Sequence, residues 1–176
     1  MIKEQFPKHK GDYAVFGGTF DPIHQGHVAV IRKLLENYDL VILAITSKNP
    51  WKSLVPAPMS HRVKMIELVL AAEKLPVFHD NSRRGIWVCT RDYVYVEDLV
   101  KKLRKHLPGK IHWAVGQKDA EDVKKWRNID ALSLDIICIE TGIPVDSTQV
   151  RLSKHSSYPS VESYIREHCL YDNPQN

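Results

Sequence analysis

The sequence predicts an α/β fold, a doubly wound parallel sheet of about five strands with helices on both faces. Two observations lead to this prediction. Short apolar runs rich in valine and isoleucine, typical of buried strands, alternate with longer stretches whose apolar residues recur at helical spacing. Strands that alternate with helices form right-handed βαβ units, and such units build a parallel sheet of Rossmann-like type.

Four apolar runs, each bounded by Gly, Asp, Lys or Ser, are predicted to form strands. They are Tyr13–Phe16, Leu40–Ile45, Ile111–Val115 and Ile136–Ile139. Pro76–Asp80 fits a further short strand. All of these runs are short and contain branched or aromatic residues, which favours buried strands over buried helices.

Three amphipathic stretches between the strands are predicted to form helices. They cover His27–Tyr38, His61–Glu73 and Tyr95–His106, and in each the apolar residues recur every three or four positions. The first helix is expected to start at about Gln25, soon after Pro22.

Two segments do not fit a strand or a helix. Ser47–Ser60 contains three prolines and a tryptophan, and Asn81–Asp92 contains paired arginines and a glycine. Both are predicted as loops near the carboxyl ends of strands, where ligands bind in open α/β sheets. They are therefore candidate walls of a substrate site, although an ordinary surface loop is an equal alternative for the second.

The length and composition indicate one globular domain. The 176 residues suit a single domain over 1–176, and 43% apolar with 26% charged residues and no long apolar run excludes a disordered or membrane-spanning chain. The charged N-terminal segment excludes an ordinary secretory signal and predicts a cytoplasmic protein. The polar residues Asp172–Asn176 are expected to fray.

The cysteines and the net charge exclude little more. Cys89, Cys138 and Cys169 are widely separated and odd in number, so we expect reduced thiols and no disulfide framework or CxxC metal site. The net charge of +4 suits a phosphate-rich small ligand as well as nucleic acid. The basic run Lys101–His106 is more typical of the solvated face of a helix than of a nucleic-acid site.

The stretch Phe16–His27, FGGTFDPIHQGH, carries the strongest chemical signal. It reads as a strand, a glycine turn at Gly17 and Gly18, and then a helix N-terminus. Glycines let the backbone approach a ligand closely, and the free N–H groups with the helix dipole favour an anion. This stretch therefore predicts a phosphate-binding site.

The two histidines of this stretch lie three positions apart. His24 and His27 therefore share a face at the helix start and can both donate to one phosphate group, for which Gly26 leaves room. A zinc site is one alternative, but no third ligand of suitable spacing lies nearby. A purely structural helix cap is another.

FGGTFDPIHQGH resembles the HxGH signature of the nucleotidylyltransferase superfamily, and it is most similar to bacterial nicotinate mononucleotide adenylyltransferases. Four later stretches add to the likeness, which spans nearly the whole chain. HRVKM at 61–65 resembles the family's HRxxM helix, Gly116 to Trp126 its Gly-to-Trp segment, DSTQVR at 146–151 its SSTxIR motif, and YPSVESYIREHCLY at 158–171 its closing helix.

The resemblance implies an enzyme of NAD biosynthesis. It would transfer AMP from ATP to the 5′-phosphate of a nicotinate or nicotinamide mononucleotide and release pyrophosphate, with Mg²⁺ carried by ATP rather than held by a protein cage. The residues suit this chemistry, because attack of one phosphate on another needs alignment and charge stabilisation but no covalent intermediate. ATP and the mononucleotide are the expected partners, without nucleic acid or membrane, and a homo-oligomer is left open.

The resemblance also implies roles for single residues. His24, His27 and Arg151 would be catalytic, and Lys52 and Trp126 would contact the mononucleotide. The ATP-binding set would be Gly17, Gly18, Thr19, Phe20, Gly26, Gly116, Asp119, Ser147 and Thr148. Without the resemblance, Trp126 fits a core residue and Lys52 a solvated one, and Asp146 or Ser147 could act as an ordinary N-cap, which is compatible with phosphate binding.

Basic side chains in the predicted loops bear on whether the pyridine substrate carries a carboxylate or an amide. A site for a carboxylate needs N–H donors or a positive charge, because burial of an unpaired anion is unfavourable. Arg84, with Arg83 and Arg91 beside it, and Lys52 could supply that charge. This favours the nicotinate form, while the alternative is that these arginines are solvated or bind the phosphate.

The chain departs from the family pattern at several positions, and related functions compete. Gly116 is followed by Gln117 and Lys118, so that Asp119 comes one position late, and Asn49–Lys52 replaces Pro-Pro-His-Lys.

Phosphopantetheine adenylyltransferases usually have Thr at the position of His24, and cytidylyltransferases usually have an RTEGIS-type motif, which this chain lacks. Lys118 also suggests a nucleotide-binding module without catalysis, against which both histidines and Arg151 speak.

Overall fold

The computed structural model describes residues 6–47, 55–91, 93–153 and 155–172, with Lys118 by its backbone alone. Five parallel strands form one sheet in the order β3-β2-β1-β4-β5. Their bounds are Tyr13–Gly18 (β1), Leu40–Ile45 (β2), Gly85–Cys89 (β3), Ile111–Gly116 (β4) and Asp135–Ile139 (β5). The sheet confirms the predicted fold class. Lys52 and residues 173–176, for which predictions were made above, lie outside the described residues.

Six α-helices connect or follow the strands in the described parts of the chain. They are Gln25–Asn37 (α1), Met59–Ala72 (α2), Val96–His106 (α3), Ile129–Leu132 (α4), Ser147–Ser153 (α5) and Pro159–Glu167 (α6). Two short 3₁₀ helices, Gln117–Asp119 and Glu121–Lys125, follow β4. The three predicted helices are confirmed to within two residues at either end. No helix of these segments has both the length and the apolarity needed to cross a membrane.

The helices cover both faces of the sheet. Alternate residues of a strand point to opposite faces, so Phe16 packs with α1, α2 and α6 in one core, while Val15 packs with α3 and α4 in the other. All six residues of β2 are buried, as expected for a strand covered on both sides. The sheet is therefore doubly wound.

The prediction of a strand at Pro76–Asp80 is wrong. The strand that the prediction missed is β3, Gly85–Cys89. Only a single bridge joins Val77 to Ile86, and the Phe78 N–H donates to the Ile86 carbonyl over 2.8 Å. Proline at the start of the run has no N–H for a ladder, and a turn closed by the Ser82 hydroxyl diverts the chain directly afterwards. The run lies beside β3 without continuing as a strand.

The strand order reverses direction at β1. The connection after β1 leads through α1 to β2, whereas β4 lies on the other side of β1. In an open α/β sheet a crevice forms at such a point, beyond the carboxyl ends of the two strands. The stretch that follows β1 begins at Thr19, directly at this crevice.

Candidate active site

A cavity of about 650 Å³ opens at the carboxyl ends of β1 and β4. Its walls come mainly from four segments of the chain, within residues 16–30, 93–96, 113–127 and 139–151, and Thr46 and Pro56 complete them. Twelve of the residues predicted for a site line it: Gly17, Gly18, Thr19, His24, Gly26, His27, Gly116, Asp119, Trp126, Ser147, Thr148 and Arg151. The fold thus brings the predicted motifs together around one space.

The turn after β1 is shaped by close contacts. A Cβ on Gly17 would lie 2.7 Å from Cζ2 of the buried Trp113, so this position excludes a larger residue. Phe20 has a φ of 48°, is 1% exposed, and places its ring 4.9 Å from that of His27. Phe20 does not line the cavity, so its predicted contact with ATP has no support in this structure. Its ring packs against that of His27 from the core.

The two histidines cap helix α1. His24 is the N-cap, and its Nδ1 accepts a hydrogen bond from the Gly26 N–H at 3.1 Å. The His24 N–H donates in turn to Nδ1 of His27 at 3.2 Å, which completes a reciprocal capping box. The two rings stack with their centroids 3.8 Å apart. The predicted cap and the predicted paired imidazoles are therefore the same arrangement.

This capping fixes where the imidazole protons lie. Because Nδ1 of each ring accepts a backbone N–H, the proton of each neutral imidazole must lie on Nε2. Burial, and to a lesser degree the charge of His24, hold the pKa of His27 well below its usual value. His27 is therefore neutral near pH 7, with Nε2–H as its donor.

A second group of polar side chains that line the cavity comes from helix α5. The Asp146 carboxylate accepts the Gln149 N–H at 2.9 Å and so caps this helix, as one of the sequence alternatives expected. The Ser147 hydroxyl donates to the Pro22 carbonyl at 3.0 Å, across 125 positions of sequence. Nη2 of Arg151 donates to the Thr148 hydroxyl at 3.0 Å. These bonds hold the start of α5 against the loop that leads into α1.

Asp21 lies at the centre of this junction. It is 1% exposed, and its carboxylate accepts hydrogen bonds from the Ala57 N–H at 3.3 Å and from the Tyr171 hydroxyl at 2.7 Å. Nη1 of Arg151 donates to the Asp21 backbone carbonyl at 2.5 Å and lies 3.6 Å from its carboxylate. A buried carboxylate needs such partners to remain charged.

Arg62 holds the same loop from the opposite side. Its guanidinium is 2% exposed and donates to three backbone carbonyls, those of Ala57 at 2.7 Å and of Thr19 and Thr46 at 2.8 Å. Burial lowers the pKa of Arg62, and the charge of Asp21 opposes that shift. Arg62 therefore ties α2 to the ends of β1 and β2.

The far wall of the cavity carries aromatic rings. Trp126 lines it and meets Trp113 edge to face, with ring centroids 5.7 Å apart. The next residue, Arg127, lies over the ring of Tyr95 at 4.3 Å and donates to the buried carboxylate of Glu97 at 2.7 Å. Glu97 thus anchors the Trp126 segment to α3.

The region after β4 differs from the family pattern at the predicted place. Gly116 and Asp119 both line the cavity, and Asp119 is exposed on the first 3₁₀ helix. A Cβ on Gly116 would lie 3.8 Å from the Asp119 carboxylate, so the two residues are neighbours. The shift of the acidic residue by one position therefore leaves it at the cavity rim.

Arg84 does not line the cavity, so its predicted contact with the substrate has no support in this structure. It precedes β3 and donates from Nε to Asp39, the residue before β2, at 3.2 Å. Both residues lie at the amino-terminal edge of the sheet, whereas the cavity opens at the carboxyl edge. Asn81–Asp92 was expected to lie near the carboxyl end of a strand, but residues 81–84 come directly before β3 and so lie at its amino-terminal end.

The sequence-based prediction missed Asp21 and Arg127, which line the cavity, and Tyr171 and Glu97, which contact them. Asp21 could have been found, because it lies inside the glycine and histidine motif. The other three follow only from tertiary contacts. The described residues contain no cluster of three or more His, Cys, Asp or Glu side chains suited to a metal ion.

Comparison with known proteins gives related curated sequences over most of the chain. A probable nicotinate-nucleotide adenylyltransferase of Nitratiruptor sp. is 27% identical over 164 residues, which cover 90% of each chain. A probable nicotinate-nucleotide adenylyltransferase of Yersinia pestis is 28% identical over 169 residues, covering 91% of this chain and 70% of the relative.

Solved structures share the fold. The nicotinic acid mononucleotide adenylyltransferase of Plasmodium falciparum, complexed with NaAD, aligns with a TM-score of 0.69 at 19% identity, over 96% of this chain and 99% of its own. A putative nicotinate-nucleotide adenylyltransferase of Vibrio parahaemolyticus aligns with a TM-score of 0.70 at 18% identity, over 94% and 98%.

A family model decides the classification. The model described as cytidylyltransferase-like matches residues 15–158, a range that begins in β1, contains both histidines and ends after Arg151. The match includes the loop and both helix starts that surround the cavity. The chain therefore belongs to the cytidylyltransferase-like family.

Proposed function

We propose that this chain is an adenylyltransferase of NAD biosynthesis that moves AMP from ATP to the 5′-phosphate of nicotinate mononucleotide. The observation that carries the proposal is the cavity itself, in which two imidazoles with fixed Nε2–H donors and the polar start of α5 line the same space as Trp126. One part suits a polyphosphate and another suits a flat ring. The names of the curated relatives support the same reaction.

The reaction needs little from the protein beyond alignment. An oxygen of the mononucleotide 5′-phosphate attacks the α-phosphorus of ATP, the bond from that phosphorus to the bridging β-oxygen breaks, and pyrophosphate leaves. Negative charge grows on the leaving group, and preorganised N–H donors stabilise it. We assign that role to His24 and His27, and we assign the outer phosphates to Ser147, Thr148 and Arg151.

Magnesium fits this site as a companion of the substrate. Mg²⁺ keeps several waters and binds phosphate oxygens readily, and when bound it would neutralise charge on the phosphates. The phosphate-binding part of the cavity offers imidazole N–H donors, hydroxyls and a guanidinium, and its carboxylates Asp21 and Asp146 already accept hydrogen bonds within the protein. We therefore propose that the ion enters with ATP.

The choice of nicotinate over nicotinamide rests on the relatives. Arg84 no longer supports it, since it lies at the other edge of the sheet. The curated relatives are named for the nicotinate nucleotide, and a neighbouring structure contains NaAD. Stacking on Trp126 would not distinguish the acid from the amide, so the discriminating groups must lie at the edge of the pyridine ring.

The experiment that tests the proposal measures pyrophosphate release. The purified chain receives Mg²⁺, ATP and either nicotinate mononucleotide, nicotinamide mononucleotide or phosphopantetheine, and a further reaction replaces ATP by CTP. We expect the highest kcat/KM with ATP and nicotinate mononucleotide. A clear preference for the amide form would overturn the substrate assignment, and release with phosphopantetheine alone would replace the function.

Trp126→Ala is expected to raise the KM for the mononucleotide about tenfold to a hundredfold, because stacking of a base on an aromatic side chain contributes about 1–3 kcal/mol. The KM for ATP should stay within about twofold. Initial rates with each substrate varied in turn measure both constants. Trp126→Phe, which keeps an aromatic face, is the matched control, and equal changes in both KM values would contradict the assignment.

A further inference from the structure

We propose that Tyr171 is a positioning residue of the active site, which orients the guanidinium of Arg151 toward the phosphates of ATP by holding the Asp21 carboxylate. This inference rests on the proposed function. It concerns a side chain 150 positions away from the carboxylate that it contacts. Tyr171 is the last residue of the stretch that resembles the family's closing helix, it does not line the cavity, and no role was predicted for it.

The contact between Tyr171 and Asp21 is short and largely withdrawn from water. The Tyr171 hydroxyl donates to Oδ1 of Asp21 at 2.7 Å, and Tyr171 packs against the core that α1, α2 and α6 share. Burial and the charge of Asp21 both raise the pKa of Tyr171. The phenol therefore keeps its proton near neutral pH and remains a donor.

The Asp21 carboxylate lies between Tyr171 and Arg151. Oδ1 accepts the phenol, both oxygens accept the Ala57 N–H at 3.3 Å, and Oδ2 lies 3.6 Å from Nη1 of Arg151. That separation exceeds the 2.7–2.9 Å of a charge-assisted hydrogen bond. Nη1 donates instead to the Asp21 backbone carbonyl at 2.5 Å.

This arrangement leaves the charge of Arg151 available to a ligand. Its Nη2 donates to the Thr148 hydroxyl at 3.0 Å, and the side chain lines the cavity while only 13% of it is exposed. If Asp21 lost the phenol, its carboxylate could turn and shorten the 3.6 Å ion pair with Arg151 to a direct hydrogen-bonded pair. A bidentate pair of that kind is strong, and it would compete with the phosphates for the same guanidinium.

The test compares Tyr171→Phe with Tyr164→Phe. Each substitution removes one phenol hydroxyl near α6, and the Tyr164 hydroxyl bonds Nδ1 of His61 at 2.9 Å without contact to Asp21. We expect Tyr171→Phe to raise the KM for ATP about tenfold, as for loss of a hydrogen bond to a charged group. The KM for the mononucleotide should stay within about twofold. Tyr164→Phe should leave both KM values unchanged. The urea midpoints of the two variants should fall by similar amounts.

A double-mutant cycle separates positioning from a general loss of structure. In an Arg151→Ala background, Tyr171→Phe should cause no further rise in the KM for ATP, because the group through which it acts is gone. Additive effects, or an unchanged KM in the single variant, would overturn the inference. If the unmodified chain transfers no AMP, the proposed function fails, and the Kd of a nonhydrolysable ATP analogue for the same variants still decides the role of Tyr171.

Discussion

His27→Ala is expected to lower kcat by a few hundredfold to about a thousandfold while the KM for ATP changes little. Loss of one preorganised donor to a transition-state charge costs about 3 kcal/mol. The Nε2–H of His27 is such a donor, because its Nδ1 is occupied by the His24 N–H and its pKa lies well below the usual value. Steady-state pyrophosphate release measures the change.

A second variant distinguishes catalysis from helix capping. His27→Ala also removes the acceptor of the His24 N–H, which weakens the start of α1. Glutamate is the usual partner in a capping box and has no proton to donate near neutral pH, so His27→Glu should restore stability but not turnover. Near wild-type kcat in either variant would refute the catalytic role.

Arg62→Met is expected to reduce the free energy of unfolding by about 3–5 kcal/mol, as for removal of one partner from a buried charged network. The guanidinium is 2% exposed and satisfies three carbonyls that methionine cannot pair. The Asp21 charge would lose a favourable neighbour at the same time. Urea unfolding followed by fluorescence measures the loss.

An arginine at the surface provides the control for Arg62. Arg32 pairs with Glu73 at 2.5 Å, but half of its side chain is exposed. Arg32→Met should therefore cost no more than about 1 kcal/mol. If the two substitutions cost the same, the carbonyls around Arg62 find other partners and its structural role is smaller than inferred.

The sequence was sufficient to predict four strands of the sheet, three helices and the place of the cavity. Hydrophobic runs such as Leu40–Ile45 are buried on both faces, and strong burial leaves a clear pattern. Gly-Gly turns and paired histidines need a local conformation, and local conformation is encoded by neighbouring residues. The start of α1 at Gln25 and the cap at His24 are of this kind.

The strand β3 and the supports of the site were not predicted. Pro76–Asp80 was predicted in place of β3, although Gly85–Cys89, an edge strand next to polar residues, contains the apolar run Ile86–Cys89. Its place is decided by pairing with β2. The contacts of Asp21 and Tyr171 depend likewise on tertiary packing, which periodicity does not report.

The loop between β1 and α1 lies near the start of the chain, but its hydrogen-bond partners lie far along the sequence. The Thr19 carbonyl accepts a hydrogen bond from Arg62 and the Pro22 carbonyl accepts one from Ser147, while Asp21 accepts hydrogen bonds from Arg151 and Tyr171. Such distant pairings close only after most of the chain has collapsed. During synthesis on the ribosome, a nascent chain that ends before Tyr171 would carry both histidines and Arg151 and still lack the hydrogen bond from Tyr171 to Asp21. We therefore expect recovered activity during refolding to follow the docking of the C-terminal helix.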